Sequence, residues 1–170
     1  MDYFLTSTHL GFRRWHEQDL PLAMELWGDP EVTAYIGGPF TGKMAHSRLV
    51  QEIAQEQALG LQYWPFFLLD GNRHAGCAGL RPYRTKERLY ELGIHLRRAY
   101  WGLGLAMEAA RLVIDYGFGT LGAAALFAGH HPNNEASRRL LLKLGFVRTH
   151  EERYAPTGLL HPSYLLRRTH

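Results

Sequence analysis

Cysteine is nearly absent: Cys77 stands alone among 170 residues. A single thiol excludes an intrachain disulfide and a multi-cysteine zinc site, and this usage fits a reducing cytoplasm. Long apolar runs are missing as well. The stretch AAALFA at 123–128 is far shorter than the roughly 20 residues of a bilayer-spanning helix. The opening MDYFLTSTHLGFRR lacks the basic-then-apolar order of a secretory signal, so no membrane partner is expected. The charge excess is small, +3 at pH 7. It favours an anionic ligand but does not make a nucleic-acid surface without a basic patch, and the arginine pairs are dispersed along the chain. Histidine is plentiful, with 10 residues, yet no H-x-x-x-H or H-E-x-x-H spacing occurs, so no metal is expected. No Gly-Lys-Ser/Thr phosphate loop is present either.

What is present reads as a globular protein, with 46% apolar and 21% charged residues. No repeat or linker tract divides residues 1–170, which are expected to form a single domain. HLGFRRW reads as a strand, and EQDLPLAMELW as a helix with Asp19 at its N-cap and Pro21 in its first turn. Thr41 caps a longer helix carrying Ala45, Leu49, Ile53 and Gln57 on one stripe. QYWPFFLLDGNRHAGCAGL reads as two strands joined around Asp70–Gly71.

LYELGIHL alternates, with Tyr90, Leu92, Ile94 and Leu96 on one face and Glu91, Gly93 and His95 on the other. A helix with Leu105, Ala109, Leu112, Val113 and Tyr116 at helical spacing follows, then the buried strand AAALFAGH. A helix from Asn134 stops at Gly145, and FVRTHEERYA and SYLLRR supply closing strands. The expected architecture is a layered α+β (α/β) domain. Its mostly antiparallel sheet has about six or seven strands, with helices on both faces.

The segment YWGLGLAMEA places Gly102 and Gly104 just before an apolar helix, although glycine costs about 0.5–1 kcal/mol there relative to alanine. A helix N-terminus presents unpaired N–H groups and the positive end of the helix dipole, and a bare backbone lets a phosphate approach them. Charge-assisted bonds of roughly 1.5–3 kcal/mol each outweigh the glycine cost. Arg97 and Arg98, just upstream, are placed to reach a further phosphate. The dinucleotide fingerprint G-x-G-x-x-G fails at Met107. A bare G-x-G equally suits a tight strand-to-helix turn.

Further along comes NNEASRRLLLKLGF. Together with LGFRRWHEQDLPLAMELWGDPEVTAYIGG, HAGCAGLRPY and YELGIHLRRAYWGLGLAMEA, it resembles the GNAT superfamily of N-acetyltransferases over nearly the whole chain. It is similar in particular to the branch of ribosomal-protein N-terminal (alanine/serine) acetyltransferases. The resemblance implies a GNAT-like fold, acetyl-CoA as donor, and direct attack by a primary amine in a ternary complex. The acceptor so implied is a protein N-terminus, with a small-molecule amine such as a polyamine or an antibiotic as the alternative. It also implies that Tyr100, Trp101, Gly102, Leu103, Gly104, Leu105 and Ala106 carry the pyrophosphate. The strand edge at Ile94, His95 and Leu96 would pair with the pantetheine arm. The family's loop opens with Gln or Arg, where this chain has Ala99 or Trp101, which leaves the holding to backbone N–H groups.

Acetyl transfer to an amine needs a proton acceptor for the amine, a polarised carbonyl and a proton for the departing sulfur. Many relatives use a tyrosine as the acid, but Leu141 occupies that position here. Ser137 matches the serine of the ribosomal-protein branch; the plainer alternative is a first-turn serine bonding locally. Asn134 reads as an N-cap, to which the resemblance adds a contact with pantetheine or substrate. Glu91 is the candidate base, because partial burial raises a carboxylate pKa toward the working range. His130 is second, His95 third, and a water relay is a further alternative.

Cys77, within AGCAG, reads as a small packed residue rather than a nucleophile. The family's acceptor site points to Tyr35, Phe40, Tyr63, Trp64 and Tyr154. A non-catalytic acyl-CoA-binding module is the rival class, and an RNA-associated protein ranks below it. The sequence leaves monomer and homodimer open.

Overall fold

The computed structural model describes residues 1–169. Its strands are β1 (Leu5–Thr6), β2 (Leu10–Phe12), β3 (Tyr63–Leu68), β4 (Arg73–Arg84), β5 (Leu89–Leu96), β6 (Ala125–Gly129), β7 (Val147–Tyr154) and β8 (Leu159–Arg167). They form one eight-stranded sheet in the order β1-β2-β3-β4-β5-β6-β8-β7. Every neighbouring pair is antiparallel except β5–β6. The strand beyond the expected count is β1, which pairs only Leu5 with Phe12 and Thr6 with Gly11. Two residues are too few to show a period in sequence. β8 begins earlier than SYLLRR implies and runs through Pro162. Its last pairing with β6 is Ser163 with Gly129, so the N–H that proline lacks is not needed on that side.

The helices are α1 (Leu20–Trp27), α2 (Pro30–Thr33), α3 (Gly42–Leu59), α4 (Leu105–Gly119) and α5 (Glu135–Lys143). Local signals set their ends. The Thr41 side chain accepts from the Met44 N–H and Asn134 from the Ser137 N–H, each satisfying a first-turn donor. Gly145 follows α5 with φ +92°, a left-handed conformation that favours glycine. Asp19 sits at the N-cap of α1 but makes no cap bond. Its carboxylate instead takes Arg13 in two bonds of 2.7 and 2.9 Å and the His16 N–H, because a charged fork outcompetes a backbone donor.

Strand alternation sorts the core into two layers. Phe12, Trp64, Phe66, Leu80, Leu92 and Leu126 pack with α4 and α5 on one face. Trp27, Leu26, Ala45, Leu49, Tyr63 and Cys77 pack with α1 and α3 on the other. Each large side chain so buried contributes roughly 1.5–3 kcal/mol. Among the described residues no helix is long and apolar enough to cross a membrane.

One irregularity positions the site. β5 and β6 pair only where Leu89–Glu91 faces Ala125–Phe127. Beyond that point both strands continue, to Leu96 and Gly129, without bonding each other. The sheet therefore opens into a wedge, and one edge of β5 loses its strand partner.

Candidate active site

A cleft of about 270 Å³ occupies this wedge. Its lining comes from both faces of the sheet. Leu92, Ile94, Ala128, Ser137 and Leu141 belong to the side of α4 and α5. Glu91, His95, Tyr63, Arg81 and Arg48 belong to the side of α1 and α3. The separation of β5 from β6 thus lets one cavity pass through the sheet.

Near the C-terminal end of β5 the chain turns into α4 through the two glycines. Gly102 and Gly104 have φ of +75° and +78°, so glycine is required by the backbone conformation itself. A Cβ built on either would meet nothing within 4 Å. Among the described residues, the N–H groups of Gly102 through Met107 bond no acceptor, and Glu108 is the first to do so, to the Gly104 carbonyl. A row of free donors at the start of a 15-residue helix, with open space above it, suits the pyrophosphate of a coenzyme A. Trp101 is anchored beside it by its indole N–H on the Leu96 carbonyl at 2.7 Å. Leu105 differs in facing the core, at 8% exposure.

Arg97 and Arg98, expected to reach a phosphate, are committed elsewhere. Arg98 pairs with Asp29 at 2.7 Å and Glu31 at 3.4 Å, and Arg97 with Glu25 and the His74 carbonyl. Both tie the end of β5 to α1 and α2.

On the α1–α3 face, two carboxylates line the cleft. Glu152 accepts from His150 at 2.8 Å and from the Tyr83 hydroxyl. Burial acts to raise its pKa, but these bonds prevail and hold it below the usual carboxylate range. Glu91 has no such donors among the described residues. Burial raises its pKa, Glu152 adds to the effect, and Arg81 opposes it. Of the two carboxyls, Glu91 is thus the one without a bonded donor and with its proton held more tightly.

His95 differs from the expectation of a base. Its Nδ1 accepts the Trp27 indole N–H at 2.9 Å, which leaves Nε2 as the protonated nitrogen. Burial, with the Arg48 and Arg81 charges, holds its pKa well below 6.5. His95 is a neutral donor. The Cys77 sulfur lies 3.6 Å from the same Nδ1, and burial pushes its thiol up to about 12, which is inert as a nucleophile.

On the other face, Asn134 and Ser137 enter the cleft from the start of α5. Asn134 caps the Ser137 N–H, and the Ser137 hydroxyl bonds nothing locally among the described residues. His130 is 6% exposed with both nitrogens engaged. Nδ1–H donates to the His131 carbonyl at 2.8 Å, and Nε2 accepts from the Tyr164 hydroxyl at 3.0 Å. It has no lone pair left for a substrate.

The cleft brings together Tyr35, Tyr63, Glu91, Ile94, His95, His130, Asn134, Ser137 and Tyr154. Leu96 and the glycine turn do not line it. Trp64 and Phe40 do not reach it. Trp64 is 1% exposed on the α4 side, because adjacent strand residues point to opposite faces and Tyr63 holds the cleft side. Phe40 packs on the α1–α3 layer. Arg48, Arg81, Tyr83, Glu152 and His161 also line the cleft and escaped the reading of the sequence. For Arg81 a signal existed, since its even spacing from Cys77 along one strand shares a face with it.

The chain's likeness to known proteins accords with this geometry. A family model described as acetyltransferase (GNAT) domain matches residues 9–147. The uncharacterized N-acetyltransferase p20 of Bacillus licheniformis is 30% identical over 144 residues, 84% of this chain and 81% of that protein. A GNAT-family acetyltransferase from Bacillus anthracis has the same fold, with a TM-score of 0.80 at 23% identity over 95% of each chain. RimL, a ribosomal alpha-N-protein acetyltransferase solved with coenzyme A, gives a TM-score of 0.82 at 14% identity over 98% of each.

Proposed function

Because the chain belongs to the GNAT acetyltransferase family, we propose that it moves the acetyl group of acetyl-CoA to a primary amine by direct attack, with the two reactants entering the cleft from opposite faces of the sheet. The observation that carries this reading is the wedge between β5 and β6. It brings Ser137 from one face and the unbonded carboxyl of Glu91 from the other into one cavity, while the row of free N–H donors follows the end of β5 outside that lining. The N–H groups of Gly102 to Met107 would hold the pyrophosphate, and the β5 edge at Ile94–Leu96, where the Leu96 carbonyl alone is taken by Trp101, the pantetheine arm as an added strand. Bound there, acetyl-CoA supplies an activated acyl carbon.

Glu91 takes the proton of the attacking amine, and its raised pKa makes it a stronger base than an exposed carboxylate. The Ser137 hydroxyl, free of local bonds, gives its proton to the departing sulfur and recovers one from solvent. On the Glu91 side of the sheet, the neutral His95 keeps Nε2–H as a donor. The RimL likeness supports testing N-terminal amines first.

Calorimetry with acetyl-CoA, with NAD as control, followed by a thiol-release assay over peptides and small amines, tests the proposal. Selective binding with turnover of an amine is expected. Binding without turnover of any amine would leave a non-catalytic acyl-CoA-binding module, and no binding would refute the assignment of the turn.

A further inference from the structure

The α1–α3 end of the cleft holds more guanidinium N–H donors than its carboxylates occupy. Arg48 and Arg81 both line it, and each spends an N–H on the same atom, Glu52 Oε1, at 2.9 and 2.7 Å. The other oxygen of Glu52 is taken by the Tyr63 N–H at 2.7 Å. Glu52 is 2% exposed, a buried carboxylate that one guanidinium suffices to neutralise. Glu152 is taken by Tyr83 and His150 and Glu91 pairs with neither arginine, so about four N–H donors on each arginine are without an acceptor among the described residues. Their planes are already held. Arg81 lies 4.2 Å over the Tyr63 ring, and Arg48 5.3 Å over that of Trp27. A ligand would not need to order them.

Glu91 is the direct cross-strand neighbour of Arg81, with about 4.5–5.5 Å expected between such Cβ atoms. The two side chains nevertheless form no ion pair among the described residues; Arg81 is drawn to Glu52 instead. Adjacent opposite charges that do not touch match a molecule bearing both complements a few atoms apart.

We propose that the acceptor is an amino acid, or a compound like one, whose carboxylate is held by Arg48 and Arg81 while its amine lies at Glu91. This rests on the acetyl-transfer reading of the same cleft. The outer wall is a run of rings, with Tyr35 4.8 Å from His131 and Tyr154 4.7 Å from His161. It gives the acceptor's side chain a largely aromatic slot. A peptide N-terminus or an amide lacks the adjacent charge and forfeits the arginine contacts.

The test pairs the common α-amino acids as free acids with their α-amides, as acceptors in a thiol-release assay with acetyl-CoA. In parallel, the N-acetylated acids and N-acetylated amides are titrated into the enzyme by calorimetry in the presence of CoA. At least one acid should exceed its amide by about tenfold to a hundredfold in kcat/KM, as charge-assisted hydrogen bonds require. The same preference should appear in binding.

Arg48→Gln should bring that ratio toward one, while Arg81 still neutralises Glu52 and the thermal midpoint reports a folded protein. Arg48→Lys should restore part of it. Amides turned over as well as acids would overturn the carboxylate site and leave acetyl transfer intact. If no amine is acetylated, the functional reading falls. The binding arm then decides alone: acids preferred and lost in Arg48→Gln sustain the site, and equal binding refutes it.

Discussion

Replacing Glu91 by glutamine separates its chemistry from its place in the fold. The two side chains have the same shape, and Glu91 accepts no hydrogen bond whose loss would disturb the cleft. Its pKa is raised chiefly by burial, so folding disfavours the ionised carboxyl. A carboxylate raised in this way subtracts stability at every pH above its folded pKa. Glu91→Gln should therefore unfold at a slightly higher temperature than the parent at neutral pH.

Activity should move the other way. Removing a positioned base typically costs 10²–10⁴-fold, about 3–5 kcal/mol of transition-state stabilisation. The assay is thiol release from acetyl-CoA with the best amine, followed from about pH 5 to 9. In the parent, kcat/KM should rise with pH through the elevated Glu91 pKa, and the variant should lack that limb. A variant within roughly threefold of the parent, with the acid limb unchanged, would refute Glu91 as the base and favour a water relay.

Other outcomes can be checked alongside. Gly104→Glu should abolish acetyl-CoA binding in calorimetry, because it strains a φ of +78° and adds a carboxylate facing the pyrophosphate; unchanged affinity would sink the phosphate turn. Ser137→Ala should slow turnover by at least about tenfold with coenzyme affinity nearly intact, since the Asn134 cap needs only the Ser137 N–H; an unaltered rate would remove it as the acid. Burial, aided by Arg97, lowers the His74 pKa from 6.5 to about 4, and its Nδ1 has no partner. The unfolded chain thus binds a proton that the folded chain refuses. Stability complete above pH 6.5 should fall by up to about 3 kcal/mol toward pH 4. Urea titrations at stepped pH would show a flatter acid limb for His74→Gln, and identical limbs would contradict the assignment.

Much of the fold is legible without coordinates because short-range rules set it. The Thr41 and Asn134 caps, the Asp70–Gly71 turn, the Gly145 stop and the two faces of LYELGIHL all depend on residues within a few positions of each other. The glycine turn is legible for the same reason, although the structure gives its requirement as left-handed backbone. Trp64 shows where the reading fails. Period two places Tyr63 and Trp64 on opposite faces, but which face borders the cleft depends on what β4, β5 and the helices place there.

The sequence alone made legible the family, most of the strands and helices, the glycine turn, and the presence of Glu91 and Ser137 on a strand and a helix of the domain. Only the tertiary structure decided how these residues are used. Separation of β5 from β6 put Glu91 and Ser137 in one cavity from opposite sides of the sheet. Trp27 made His95 a donor, Tyr164 and the His131 carbonyl occupied His130, and Glu25, Asp29 and Glu31 drew Arg97 and Arg98 away from the glycine turn. Arg48 and Arg81 converged on Glu52 from a helix and a strand far apart in the chain. Local conformation is governed by neighbours in sequence, whereas protonation, tautomer and charge pairing are governed by neighbours in space.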